Sequence, residues 1–186
     1  IEVIVDYFNE DKHKILEEDL FKFNVGLFII SNKFFYKNIE FLMQIKKPFL
    51  KVGKESIKKC SQTAVLLRDG EDVAKISPVV FDLSIQLNAK IKFFDIDPDN
   101  VSLTKKSIMK YYENLARMYY YQEKVEFIMS NDNPKRFIKD IKNICFFVPF
   151  NRNLPTSKLK AILLPDVQKV QILFDKYNQF MIPTKD

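Results

Sequence analysis

Between Gln62 and Asp99 an apolar run, an Asp-Gly turn, a periodic segment and a second apolar run follow in order, and no other stretch of the 186-residue chain restricts the fold as much. Thr63-Ala64-Val65-Leu66-Leu67 is short, apolar and partly β-branched, the pattern of a strand buried on both faces. Arg68-Asp69-Gly70-Glu71 breaks it. Val73, Ile76, Val80, Leu83 and Leu87 then recur at spacings of three and four, one apolar stripe of a helix that covers a sheet, and Asn88-Ala89-Lys90 ends it. Ile91 to Ile96 is the next strand, closed by Asp97-Pro98-Asp99-Asn100. A β-α-β crossover of this length makes the two strands parallel, so the segment starts an open α/β sheet whose ligand sites lie at strand C-terminal ends.

The flanking sequence continues the alternation. Ile1 to Val5 reads as a strand, followed by a helix carrying Ile15, Leu16, Leu20 and Phe23 that stops near Asn24. Val25 to Ile30 is a strand, Ser31-Asn32 caps a helix with Phe35, Ile39, Leu42 and Met43, and Pro48 to Val52 is a strand. Residues 53–61, with three lysines, read as a linker. Downstream, Ile108, Tyr112, Leu115, Ala116 and Tyr119 mark a helix over about 102–121, and 125–129 is a strand. A short helix from Asn133-Pro134 carries Phe137, Ile138 and Ile141; 144–148 is a strand, 149–155 a loop, and a helix interrupted by Pro165 precedes a last strand at 179–183.

Composition excludes several classes. With 47% hydrophobic residues the chain buries a core, and 30 basic against 24 acidic side chains, spread rather than clustered, do not form a nucleic-acid footprint. Tyr111-Tyr112 and Tyr119-Tyr120-Tyr121 could stack bases, but their spacing on an amphipathic helix assigns them to packing and helix edges. Cys60 and Cys145 share no metal spacing and suit a reducing compartment. No apolar run reaches the ~18 residues of a membrane span. The chain starts at Ile1 in a strand-like run, which leads to the expectation of an excised part of a longer protein.

A weak internal repeat is present. Asn24 to Asn32 runs parallel to Asn143 to Asn151, Val3-Ile4-Val5 to Phe127-Ile128-Met129, and Pro48-Phe49-Leu50 to Phe180-Met181-Ile182. Residues 1–52 therefore look like the back half of the unit that 62–186 completes.

In this order of elements the chain resembles the universal stress protein family, whose domains open with an apolar strand ending in Asp-Gly-Ser-Glu and a helix ending near Leu-Gly-Ala. Ala64 to Glu71 and Gln86 to Ile96 occupy those places. The resemblance implies a doubly wound open parallel sheet with helices on both faces, as in the adenine nucleotide alpha hydrolase-like folds. It divides the chain into a partial domain at 1–52, a linker at 53–61 and a complete domain at 62–186. It further implies self-association through last strands, here Pro48 to Val52 and Gln179 to Pro183, within the chain or between chains. Carried over by position, an adenosine pocket, here vestigial, would involve Leu67, Arg68, Asp69 and Ile96.

The family's phosphate loop is absent. Its three glycine positions fall on Arg152, Pro155 and Pro165, and no glycine lies between Asn143 and Asp186. Glycine lets backbone N–H groups ring a phosphate, whereas proline has none to offer and Asp166 would repel it. Arg152, Lys158 and Lys160 read as a solvated basic face, so no ATP or AMP cofactor is expected. An acid at the second strand's end, Asp95 or Asp97, is where a methyltransferase-like fold grips ribose, but Arg68-Asp69-Gly70-Glu71 lacks the glycine-rich turn. Asp95, Asp97 and Asp99 alternate like metal ligands around a turn-forming Pro98, and no closing Glu follows. His13, the sole histidine, stands between Lys12 and Lys14, so no Ser-His-Asp or Cys-His set can be built. The expectation is a non-enzymatic cytoplasmic regulatory domain, binding no metal and no nucleic acid, carried as the tail of a cation/proton antiporter at the inner face of the membrane. A free-standing nucleotide-binding stress protein and a degenerate methyltransferase-like enzyme are the alternatives.

Overall fold

The computed structural model describes residues 13–45, 47–67, 72–95, 103–129, 141–150 and 176–183. Its elements are α1 (His13–Lys22), β1 (Phe28–Ser31), α2 (Asn32–Lys37), α3 (Ile39–Gln44), β2 (Phe49–Val52), β3 (Gln62–Leu67), α4 (Asp72–Lys75), α5 (Ser77–Gln86), β4 (Lys90–Asp95), α6 (Leu103–Met118), β5 (Val125–Met129), β6 (Ile144–Phe150) and β7 (Asn178–Pro183). The expected strand at Ile1 to Val5 and the helices over 133–140 and 156–173 lie outside the described residues.

Among the described residues seven strands form one sheet in the order β1-β2-β7-β6-β3-β4-β5. Every neighbouring pair is parallel except β2 and β7, which run antiparallel with Phe49 opposite Met181, Leu50 opposite Phe180 and Lys51 opposite Gln179. The two last strands thus pair within the chain, and residues from both sides of 53–61 share one sheet.

Alternate side chains on each strand feed opposite faces. Leu50, Val65, Ile91, Phe93, Cys145, Phe147, Phe180 and Ile182 pack with Val73, Ile76, Val80 and Phe81 of the α4–α5 segment and with Ile108, Tyr112 and Ala116 of α6. Phe28, Ile30, Phe49 and Met181 meet Leu16 and Leu20 of α1, Phe35 of α2 and Leu42 of α3 on the other face. The expected α/β architecture with helices on both faces is therefore the one observed.

Two expected helices are each divided. The stripe from Val73 to Leu87 splits at Ile76 because Pro78 sits in the first turn of α5, where its missing N–H costs nothing but where a continuous helix would lose a bond. Asn38 separates α2 from α3. Its side-chain amide and its backbone N–H both donate to the Phe34 carbonyl, at 2.9 and 3.1 Å. Phe23, expected on the buried stripe of the first helix, lies past its end and is half exposed. β1 starts at Phe28 rather than Val25, because Asn24 turns in the left-handed region (φ 47).

That turn is one of a set. Asn24, Asn88 and Tyr120 all have positive φ, and at each the residue's own N–H and the next one reach back to the helix, the second as Val25 N–H to Leu20 O (3.1 Å), Ala89 N–H to Ser84 O (2.9 Å) and Tyr121 N–H to Ala116 O (2.8 Å). In a chain with three glycines, α1, α5 and α6 end on asparagine or tyrosine instead. The loop expected from residue 149 starts later, since β6 runs on to Phe150 against β7. Beyond Phe147 it pairs with β7 alone, so Pro149 leaves no ladder bond to β3 unmade.

Phe93 shows how tightly this core is joined. It is fully buried, its ring 4.3 Å from that of Tyr112 and 4.9 Å from that of Phe127, linking β4 to α6 and β5. Phe93→Ala is expected to lower unfolding free energy by about 3–5 kcal/mol, measured by chemical denaturation with far-ultraviolet circular dichroism; a loss below about 1 kcal/mol would contradict this packing.

Candidate functional site

The sequence-derived pocket is only partly on view. Leu67 ends β3 directly opposite Asp95, the last residue of β4, so two parallel strands finish side by side where open α/β sheets take their ligands. Arg68, Asp69 and Ile96 lie outside the described residues. So do Asp97, Asp99, Arg152, Pro155, Lys158, Lys160, Pro165 and Asp166. Among the described residues no group of three His, Cys, Asp or Glu is placed to hold a metal.

The tyrosine clusters divide between core and surface: Tyr112, Tyr119 and Tyr121 make packing or hydrogen-bond contacts, while Tyr111 and above all Tyr120, 91% exposed, face outward. Tyr112 donates from Oη to Val73 O at 2.6 Å, and burial pushes its hydroxyl well above the ordinary range. Tyr119 stacks on Phe81 with centroids 4.9 Å apart and planes 10° from parallel. Tyr121 Oη donates to Ala89 O at 2.8 Å, fastening the end of α5 to the end of α6.

A polar site that sequence reasoning missed lies where the expected linker crosses the N-terminal ends of β6 and β7. Asn178, the first residue of β7, is buried; its Oδ1 accepts from Gly53 N–H at 2.9 Å and its Nδ2 donates to Glu55 O at 3.0 Å. The Lys176 carbonyl accepts from Lys54 and Glu55 N–H at 2.9 and 3.1 Å. The Glu55 carboxylate takes the Asn143 N–H at 3.1 Å and pairs with Lys176 Nζ at 3.4 Å. Tyr177 Oη donates to Ile141 O at 2.9 Å. Residues 53–61 therefore include a fastened strap with a single 3-10 turn, Ile57–Lys59, rather than a slack tether. The signal for this was thin: Gly53, one of three glycines, directly follows a strand.

The strap ends at a thiol pair. Cys60 and Cys145 are free and buried, and Cys60 Sγ donates to Gln62 O at 3.2 Å. The two residues belong to the same buried cluster. The Cys145 thiol holds Cys60 below the usual thiol range against the opposing effect of burial, while Cys60 and burial push Cys145 up. Ionisation therefore falls first on Cys60.

No family model matches this chain, and no curated protein matches its sequence. Its fold does recur in solved structures. A functionally unknown protein from Pseudomonas aeruginosa PAO1 superposes with a TM-score of 0.51 at 12% identity, over 97% of this chain and 69% of its own. The cytoplasmic domain of a prokaryotic cation chloride cotransporter superposes with a TM-score of 0.53 at 11% identity, over 90% of this chain and 67% of its own. At such identities the likeness is one of fold, an α/β sheet layered with helices.

Gly53 tests the strap. A Cβ built there would stand 2.3 Å from the Tyr177 carbonyl carbon and 2.4 Å from its oxygen, both backbone atoms with little freedom to retreat. Gly53→Ala is expected to cost about 1–3 kcal/mol and to speed amide exchange at Lys54 and Glu55 ahead of β3; unchanged protection at those amides would show that the strap is not held there.

Proposed function

We propose that this chain is a non-enzymatic regulatory module of universal-stress-like fold, lying in the cytoplasm as part of a larger cation-transport protein such as a Na+/H+ or K+/H+ antiporter. The observation that carries this reading is the fold likeness to a cotransporter's cytoplasmic domain, which extends over 90% of the chain and so takes in more than the complete unit. Two further features support it. No helix among the described residues is long and apolar enough to cross a membrane, so the transport pathway would be built elsewhere in the polypeptide. The net charge of +6 tolerates proximity to an anionic leaflet.

The sequence supports a non-enzymatic role, because the single histidine, between Lys12 and Lys14, belongs to no recognisable Ser-His-Asp or Cys-His set. Regulation in such a module acts through the conformational equilibrium of the attached domain. In the parent protein, deletion of residues 62–183 is expected to shift the pH or ion dependence of transport while leaving membrane insertion intact. Transport unchanged across the full pH range would overturn the regulatory assignment.

The adjoining ends of β3 and β4 favour one second reading, a nucleotide-binding stress protein holding adenosine near Leu67, Asp69 and Ile96. The missing glycine loop weighs against the phosphates. Several backbone donors to a triphosphate, worth roughly 1.5–3 kcal/mol each when charge-assisted, would be lost. Calorimetric titration is expected to give no measurable ATP, ADP or AMP binding; micromolar ATP affinity that Asp69→Ala abolishes would establish the second reading instead.

A further inference from the structure

We infer that Cys60 and Cys145 are a reversible modification site, at which a hydroperoxide converts the two thiols to an internal disulfide that ties the strap to the sheet's interior strand β6. Both sulfurs are free, both residues belong to one apolar cluster, and they are 8% and 0% exposed. Their proximity follows from the fold. Cys145 stands opposite Thr63 in the β3–β6 ladder, and Cys60 precedes Thr63 by three residues. Ser61 and Gln62 N–H both donate to Asn143 O, at 3.0 and 3.2 Å, which presses the end of the strap against the start of β6. Reaching an S–S bond of about 2.05 Å requires one side to move. β6 is locked between β7 and β3, so the movement belongs to the 3-10 turn before Cys60.

The division of roles follows from environment. Lys59 and Ser61, on either side of Cys60, are exposed, so a small oxidant reaches Cys60 first. Cys60 is also the thiol that ionises more readily. Its thiolate attacks one peroxide oxygen, the O–O bond breaks, and the departing hydroxide takes up a proton and leaves as water, with Cys60 now a sulfenic acid. Cys145 then gives up its proton and attacks the Cys60 sulfur. The S–O bond breaks and a second water leaves. Each sulfur has lost one electron, the two together reducing the peroxide, and a dithiol reductant reverses the change.

This site rests on the geometry of the chain itself, independently of any transporter. Its test uses the 186-residue chain, graded hydrogen peroxide and non-reducing peptide mapping. The expected result is joint loss of both free thiols, a mass lower by two hydrogens and one cross-linked peptide pair containing residues 60 and 145, all reversed by dithiothreitol. Cys145→Ala should stop the reaction at a Cys60 sulfenic acid that a cyclic 1,3-dione traps. Cys60→Ser, at the rim of the cluster, should leave Cys145 unoxidised and provides an arm that does not depend on altering the central strand. Two alkylatable thiols surviving peroxide that fully oxidises free cysteine in the same tube would overturn the proposal. So would disulfides formed only between chains, or Cys145 oxidised at the wild-type rate in Cys60→Ser.

Discussion

The antiparallel pairing of β2 with β7 is the contact on which the rest of the molecule depends. On one side of it lie β1 and β2 with α1, α2 and α3; on the other lie five parallel strands. Neither side closes alone. Phe49 and Met181 are wholly buried on one face, and Leu50 and Phe180 nearly so on the other, so both apolar layers run without a break through the junction. Four strand residues thus serve two cores at once. Removing either strand would expose an edge and two apolar faces together.

The junction also explains a buried lysine. Lys51 lies beside Gln179 at the junction, with its ammonium 5.0 Å from the rings of both Phe35 and Tyr36 and 3.4 Å from Tyr36 Oη. An aromatic cage of this kind offsets part of the desolvation that an ammonium group meets in an interior. It makes the α2 side of the sheet sensitive to the exact register of β2. The strap adds a second constraint from the same direction, because it leaves β2 at Gly53 and is fastened within a few residues to Asn178 of β7.

The two ends of the sheet differ. The C-terminal ends of β3 and β4 finish side by side, the position at which open α/β sheets take ligands, and the strap with its thiol pair crosses the opposite end, at the starts of β6 and β7. The strap joins β2 to β3 across that end and fastens both to β7.

Much of the fold was legible in the residues themselves. Val65, Ile91 and Phe93 announce buried parallel strands because they stand in short, apolar or β-branched runs between turn residues, and period and length suffice to separate these from the helices. Tyr112 and Ala116 mark the inner face of α6 by the same logic. Local pattern failed where a single residue broke a helix, as Pro78 and Asn38 did, because apolar periodicity passes through such a break unchanged. It failed again at the strap, since three lysines in a short stretch describe solubility and carry no record of what the backbone amides bond to. What only the tertiary structure decided is the meeting of residues far apart in sequence: Phe49 with Met181, Gly53 with Asn178, Cys60 with Cys145. Sequence periodicity encodes which face of an element is apolar, a property of a few neighbouring residues. Which two faces, edges or thiols meet depends on chain direction and sheet order, and those are settled only when the whole core closes.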